Sequence, residues 1–476
     1  MSPMSSTRTT DPTTGPPGHR RMPRALAVTV VLVGIAALAG ILALGAWNLG
    51  RPAAPRQPIA AAWGVTGALR GRDIGGGGGA GGGSGVNDVG EAAGGFARAL
   101  APRAFIFPAD HGPHPDFRTE WWYYTGNLSS RDGRRFGFQL TFFRVGLAPA
   151  GAPPRASAWA TRQVYFAHLA VTDVAGRRFH AYERWERGAV GLAGARAAPF
   201  RVWVGNWSAT AAAPAAAATP PMRLTARAGH HANNADEADK ADGALDEHGA
   251  DGAPDSDIAL DLVLAGTLPP VLQGDHGLSP KSAEPGNASY YYSLPRLAAT
   301  GTLHLAGVDV AVAGSAWMDR EWSTSALAPE EVGWDWFALQ LDDGWELMLY
   351  RLRRRTGTAA DPAVLADPAS RATLIAPDGR TQVLPPGAWT LAETAAWTSP
   401  ASGTRYPAAW RLSLPAAGGP PLLDLAVRPV LPNQELALSF RYWEGAVDAR
   451  GTHAGQPVAG RGYVELTGYG DAPRSP

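Results

Sequence analysis

At 476 residues, with 42 Lys and Arg against 42 Asp and Glu, the chain has room for two or three domains and no net field. Charged residues make up only 18%, so nucleic acid is not an expected partner. Cysteine is absent, which excludes a disulfide framework, a thiolate metal centre, a cysteine nucleophile and a lipid-modified cysteine.

Residues 1–24 are polar and end in Arg20, Arg21 and Arg24, and Ala25 to Trp47 then runs without a charge. At about 1.5 Å per residue that run can cross a hydrocarbon core of roughly 30 Å. The expected reading is a cytoplasmic basic tail (1–24) and an uncleaved transmembrane signal-anchor (25–47). A cleaved signal peptide is the alternative, although Leu44-Gly45-Ala46 makes a poor cleavage site. Either way the body is exported, to the periplasm or the extracellular space, with the cytoplasmic membrane as a partner. Residues 48–95 are rich in Pro, Ala and Gly, and 75–85 contain only Gly, Ala and Ser, which predicts a flexible linker.

The remainder predicts strands. Aromatic or alternating runs recur from Trp121 to Tyr469, with Asp-Gly turn signals at 132–133, 343–344 and 378–379 and no amphipathic helix of three turns. Two echoes divide the body. Trp121-Trp122-Tyr-Tyr, Asp132-Gly133 and Phe138 to Arg144 are matched by Trp334-Asp-Trp336-Phe, Asp343-Gly344 and Glu346 to Arg351. Gly314-Ser-Ala-Trp317-Met-Asp319 shares its frame with Gly460-Arg-Gly-Tyr-Val-Glu465. The expected fold is all-β, two tandem antiparallel barrels over 96–325 and 326–476. The acidic, Ala-rich stretch at about 210–257 is expected to be a disordered insertion.

Asp110-His111-Gly-Pro-His114-Pro-Asp116-Phe-Arg118-Thr-Glu120-Trp121-Trp122 resembles the carotenoid 1,2-hydratase and AttH-like family of secreted lipocalin-like proteins. Gly137 to Arg144, Trp317-Met-Asp319-Arg-Glu321-Trp322 and Arg441-Tyr-Trp-Glu444-Gly445 resemble its later blocks. The resemblance implies paired lipocalin-like barrels and proteins named as hydratases or secreted hydrolases. Trp317 and Asp319 match the aromatic-x-Asp of the hydratases, whose upstream His-x-Trp is replaced here by Tyr290-Tyr291-Tyr292.

Hydrating a substituted alkene needs a proton delivered to carbon, a stabilised cation and a held water, with no cofactor. A carboxyl among Trp and Tyr keeps its proton, and aromatic faces stabilise a cation. Strand alternation puts Trp317, Asp319 and Glu321 on one face and Met318, Arg320 and Trp322 on the other. Asp319 is therefore the candidate proton donor, supported by Trp317, and Glu321 the water-orienting base. Glu120, Trp122, Tyr124, Tyr290, Tyr292, Trp322 and Trp334 are the candidate ligand-binding residues. The competing reading pairs Asp319 and Glu321 with Arg118, Arg144 or Arg320, and Glu120 has the same ambiguity. Asp110, His111, His114 and Asp116 have the residue types of a metal site. Their prolines set no helical register, so they are expected to cap the barrel mouth, and no metal is assigned. No Gly-x-Ser-x-Gly elbow supports a serine hydrolase.

Three functions stay open: binding a long apolar lipid or isoprenoid, with hydratase-like activity as an open addition, a true carotenoid 1,2-hydratase, and a non-enzymatic envelope scaffold beside an ABC-type exporter.

Overall fold

The structure is a computed structural model that describes residues 94–470, apart from breaks at 150, 154–155, 213–218, 230–256, 267, 326, 329, 359–360 and 417–418. The expected tail, anchor and most of the linker lie outside the described residues. Among those described, no helix is long and apolar enough to cross a membrane.

Two antiparallel sheets account for nearly all of the body. The first opens with β1 (Thr119–Ser130), β2 (Arg135–Gly146), β3 (Gln163–Asp173) and β4 (Arg178–Arg187). Short strands follow: β5 (Ala193–Ala197), β6 (Phe200–Val204), β7 (Trp207–Ala211), β8 (Met222–Ala228) and β9 (Ile258–Ala265). It ends with β10 (Val271–Leu272), β11 (Leu278–Pro280) and the long hairpin β12 (Ala288–Leu305) and β13 (Val308–Ser323). β1 pairs with both β2 and β13, so the start and end of this unit are neighbours. β3 and β4 approach β5 and β6 without a shared ladder, and the sheet curls into a barrel open along that seam.

The second sheet begins with β14 (Glu331–Leu341), β15 (Glu346–Thr358), β16 (Asp361–Ala366), β17 (Arg371–Ile375) and β18 (Thr381–Leu384). It continues through β19 (Thr390–Thr398), β20 (Arg405–Leu414), β21 (Leu423–Pro429), β22 (Glu435–Ala437), β23 (Arg441–His453) and β24 (Gln456–Leu466). β14 pairs with β15 and β24, as β1 pairs with β2 and β13. The sequence echoes are thus equivalent strands. Gly133 and Gly344 sit at φ +87° and +90° in the two matching hairpins, a backbone region open to glycine at no steric cost.

The two sheets hold 13 and 11 strands, because short pairing segments interrupt the loops. The 210–257 stretch needs correcting. It contains β8, whose alternating buried and exposed residues place it between β7 and β9 inside the first sheet. Alternation is the mark of a half-buried strand, and the polar composition around it concealed seven ordered residues. Residues 230–256 lie outside the described residues. β8 and β9 are in register up to Ala228 opposite Ile258, with Arg227 2.9 Å from Asp257. Replacing 230–256 by a short turn should therefore leave the melting temperature within a few degrees, whereas deleting 210–257 should abolish cooperative unfolding of the first barrel. Circular dichroism melts would distinguish the two.

Each barrel has its own apolar core, and a third cluster, including Tyr123, Tyr291, Trp317, Trp336, Met348, Tyr350 and Tyr463, lies between the sheets. Both sheets belong to one compact unit. Proline at 295 breaks the β12 ladder between Leu294 and Leu297, as expected for a residue without an N–H. The bulge turns Arg296 onto Glu346 of the second sheet, and the Pro295 carbonyl accepts a 2.6 Å bond from Gln340 Nε2. Asn127 Nδ2 donates to the Gly462 carbonyl at 3.0 Å, and Arg135 pairs with Asp448 at 2.6 Å. Shared polar bonds of this kind fix the sheets against each other.

Candidate active site between the two sheets

From Ala316 to Ser323, β13 is buried on both faces, so its alternation sorts side chains between two interiors. Met318 and Trp322 enter the core of the first barrel, while Trp317 joins the inter-sheet cluster. Asp319 and Glu321 line a cavity of about 140 Å³ between the sheets. Trp121, Tyr123, Gln139, Phe143 and Tyr291 form the first sheet's wall, and Trp334, Trp336, Tyr350, Tyr442, Glu444 and Glu465 the second's.

Asp319 is 3% exposed and has no cationic partner among the described residues. Its carboxyl accepts bonds from Tyr291 Oη at 2.5 Å, Ser293 Oγ at 2.6 Å and Trp317 Nε1 at 2.6 Å. Trp336 Nε1 in turn donates to the Tyr291 hydroxyl at 3.0 Å, so a residue of the second barrel orients the Asp319 partner. Burial pushes the Asp319 carboxyl up to about 7, against the lowering effect of the three donors. Glu321 instead holds Lys281 at 2.8 Å and accepts from Ser289. Trp334 Nε1 donates to Glu465 at 2.9 Å, and burial pushes that carboxyl up to about 7 as well. Glu444, directly opposite Glu465, is raised well above the usual carboxylate range by burial and then by Glu465.

The other candidate ligand-binding residues, Trp334 excepted, face away from this cavity. Trp122, Tyr124, Tyr290, Tyr292 and Trp322 fill the core of the first barrel. Glu120, fully buried there, is clamped by Arg144 and Arg320. Burial would push its carboxyl up, but the two guanidinium groups outweigh that and hold it well below the usual range. Arg144 and Arg320, expected as partners of Asp319, thus serve Glu120, because Arg320 points to the opposite face from its neighbour. Arg118 lies over the Phe96 ring instead. The Asp110 to Asp116 turn is also tied to the barrel's own groups. Asp110 meets Arg103 at 2.9 Å and His114 at 3.0 Å, His111 Nδ1 lies 2.6 Å from the Tyr292 hydroxyl, and His114 stacks on Trp322. Among the described residues no group of His, Asp and Glu is arranged to hold a metal.

Sequence patterning did not single out Trp121, Tyr123, Tyr291, Ser293, Lys281, Tyr442 or Glu444 as site residues, and it reached Glu465 only as part of a repeat. Register places Tyr123 and Ser293 on either side of Asp319, and strand parity then selects Trp121 and Tyr291.

The family model for AttH-like proteins matches residues 98–469. The chain belongs to the AttH-like family. A crystal structure of a protein from Nitrosomonas europaea assigned as an AttH is 32% identical, with a TM-score of 0.62, covering 79% of this chain and all of that one. Kievitone hydratase from Nectria haematococca, at 16% identity and a TM-score of 0.51, covers 76% of this chain and 92% of its own and shares the fold. No curated protein matches the chain significantly. This AttH-like protein therefore has the lipocalin-like architecture in which Asp319 occupies the wall between barrels.

The raised acids make a stability prediction for the AttH-like body. In the unfolded chain Asp319 and Glu465 titrate near 4, and in the folded protein near 7, so folding takes up protons between those values. Their contribution is fully present below about pH 4 and is lost as pH rises through about 7. Raising one carboxyl by a single pH unit corresponds to about 1.4 kcal/mol. Glu120 acts in the opposite sense, stabilising above about pH 4 and losing that contribution as acid protonates it. Urea unfolding should show maximal stability on the mildly acidic side and a fall of a few kcal/mol toward pH 8. A flat profile from pH 5 to 8 would contradict burial of uncompensated acids.

Proposed function

We propose that this protein binds an apolar, unsaturated molecule in the cavity between its barrels and adds water across a carbon–carbon double bond by general acid catalysis. The observation that carries this reading is a buried carboxyl without a cation, Asp319, held by Tyr291, Ser293 and Trp317 in an aromatic wall and half-protonated near neutrality. An acid works best when its pKa lies near the working pH. Asp319 would give its proton to the less substituted carbon, leaving the cation on its neighbour, where Trp336, Tyr291 and Trp121 present aromatic faces. Water would then bond to that carbon, and the proton it loses would restore Asp319. Lys281 and Ser289 anchor Glu321 on the same strand face two residues away, where it would orient the incoming water.

The likeness to kievitone hydratase supports a fold able to host hydration, and not a particular substrate. A long carotene exceeds the cavity, which suits the unsaturated end of a molecule, with the half-exposed Trp121, Phe143, Leu327 and Phe440 along its rim. The test is incubation of purified protein with acyclic carotenes and prenylated aromatics in heavy-oxygen water. Product carrying one labelled hydroxyl is expected. Binding of such molecules without any labelled product would leave a carrier and remove the enzyme reading.

A further inference from the structure

Several buried acids of this protein carry their own cations. Glu120 lies between Arg144 and Arg320, Asp335 between Arg351 and Arg353, and Glu346 against Arg296. Glu444 and Glu465 do not follow suit. They are directly opposed on β23 and β24, a placement in which like charges repel, and neither forms an ion pair among the described residues. Arg441, at the cavity rim, is engaged with Glu435 at 3.6 Å. Glu444 is 1% exposed, and its carboxyl meets tyrosine hydroxyls but no cation among the described residues. The Tyr123 and Tyr442 hydroxyls face it and offset only part of the upward push of burial and of Glu465. Across the cavity, Gln139 Oε1 on the first sheet is a buried acceptor without a donor among the described residues. Two opposed buried carboxyls without a cation, facing an acceptor without a donor, are costly, so their persistence in a cavity wall points to a cationic donor that arrives with a ligand.

The cavity already shows how it holds an ammonium group. Lys281 Nζ sits 2.8 Å from Glu321 and lies over the rings of Tyr350 and Tyr291, at 4.8 and 5.6 Å from their centroids. Around Glu444 and Glu465 the same materials recur in Tyr123, Tyr442 and Trp334, while the cavity's lysine, Lys281, is paired with Glu321. From this geometry we infer that Glu444 and Glu465, walled by aromatic faces, form a cation subsite that takes the ammonium group of an amphipathic ligand. The apolar part of that ligand occupies the Trp121 and Phe143 side. The inference rests on the cavity being the ligand site and is independent of the hydration chemistry. Without the cation the two acids keep protons, which agrees with the upward push that burial gives both of them.

The test uses the full chain at about pH 8, above the ordinary carboxylate range. Choline and its uncharged carbon isostere, 3,3-dimethyl-1-butanol, are titrated by calorimetry and by quenching of the cavity tryptophans. Choline should bind at least about tenfold more tightly. Glu444→Gln should bring the two probes within twofold of each other by weakening choline binding. Should Glu444→Gln not fold, Glu465→Gln carries the same comparison. Equal binding of the probes, or a cation preference that survives in the variant, overturns the subsite. Uptake of the alcohol alone overturns the subsite and leaves the apolar cavity standing, whereas uptake of neither probe overturns both.

Discussion

Asp319→Asn is expected to leave the fold intact and to lower turnover by roughly 10²–10⁴, the usual contribution of a positioned general acid. The amide keeps the carboxyl's shape and can still accept from Tyr291, Ser293 or Trp317, but it has no acidic proton to deliver. No arginine or lysine pairs with Asp319 among the described residues, so the substitution strands no buried cation. The melting temperature should therefore stay within a few degrees of wild type, and tryptophan quenching by bound ligand should persist. In the wild type, activity should fall as pH rises through about 7, because the deprotonated carboxylate cannot protonate carbon. An Asp319→Asn variant that unfolds early, or one that retains full turnover, would remove Asp319 from the acid role.

Glu120→Gln should do the reverse, with a large loss of stability and no direct effect on chemistry. Glu120 is fully buried between the guanidinium groups of Arg144 and Arg320, and Arg144 also donates to the His114 carbonyl at 2.8 Å and the Phe117 carbonyl at 2.7 Å. Removing the one negative charge leaves two buried cations facing each other. Breaking a buried pair of this kind costs roughly 3–5 kcal/mol. Urea unfolding would measure it, and the midpoint should fall without a change in slope if the native state stays compact. A loss below about 1 kcal/mol would mean that water reaches the triad and screens it.

The contrast between these two acids shows how far the sequence could be read. The all-β character, the hairpins at Asp132-Gly133 and Asp343-Gly344, and the equivalence of the Gly314 and Gly460 frames were legible because turn chemistry and period-two patterning are local properties. The shared face of Trp317, Asp319 and Glu321 was legible for the same reason. Choosing the functional face was not. In an ordinary half-buried strand the polar face meets water, and hydrophobicity identifies the inner side. In β1, β12 and β13 one face packs into a barrel core and the other against the second sheet, so Trp121 to Tyr124 and Tyr290 to Tyr292 are aromatic on both sides. Aromatic character alone therefore could not separate Trp122, Tyr124, Tyr290 and Tyr292, which fill the barrel, from their neighbours. Register and sheet packing placed Trp121, Tyr123 and Tyr291 in the cavity.

Charge partners were decided at the same level. Arg320 is adjacent to both Asp319 and Glu321 in sequence, yet its side chain crosses to Glu120 because successive strand residues point to opposite faces. Glu444 and Glu465, on consecutive strands of one hairpin, become direct neighbours through the β23 and β24 register. Local sequence determined strands, turns and parity. Only the docking of one sheet on another decided which face became a site, because that choice depends on contacts between residues from both halves of the chain.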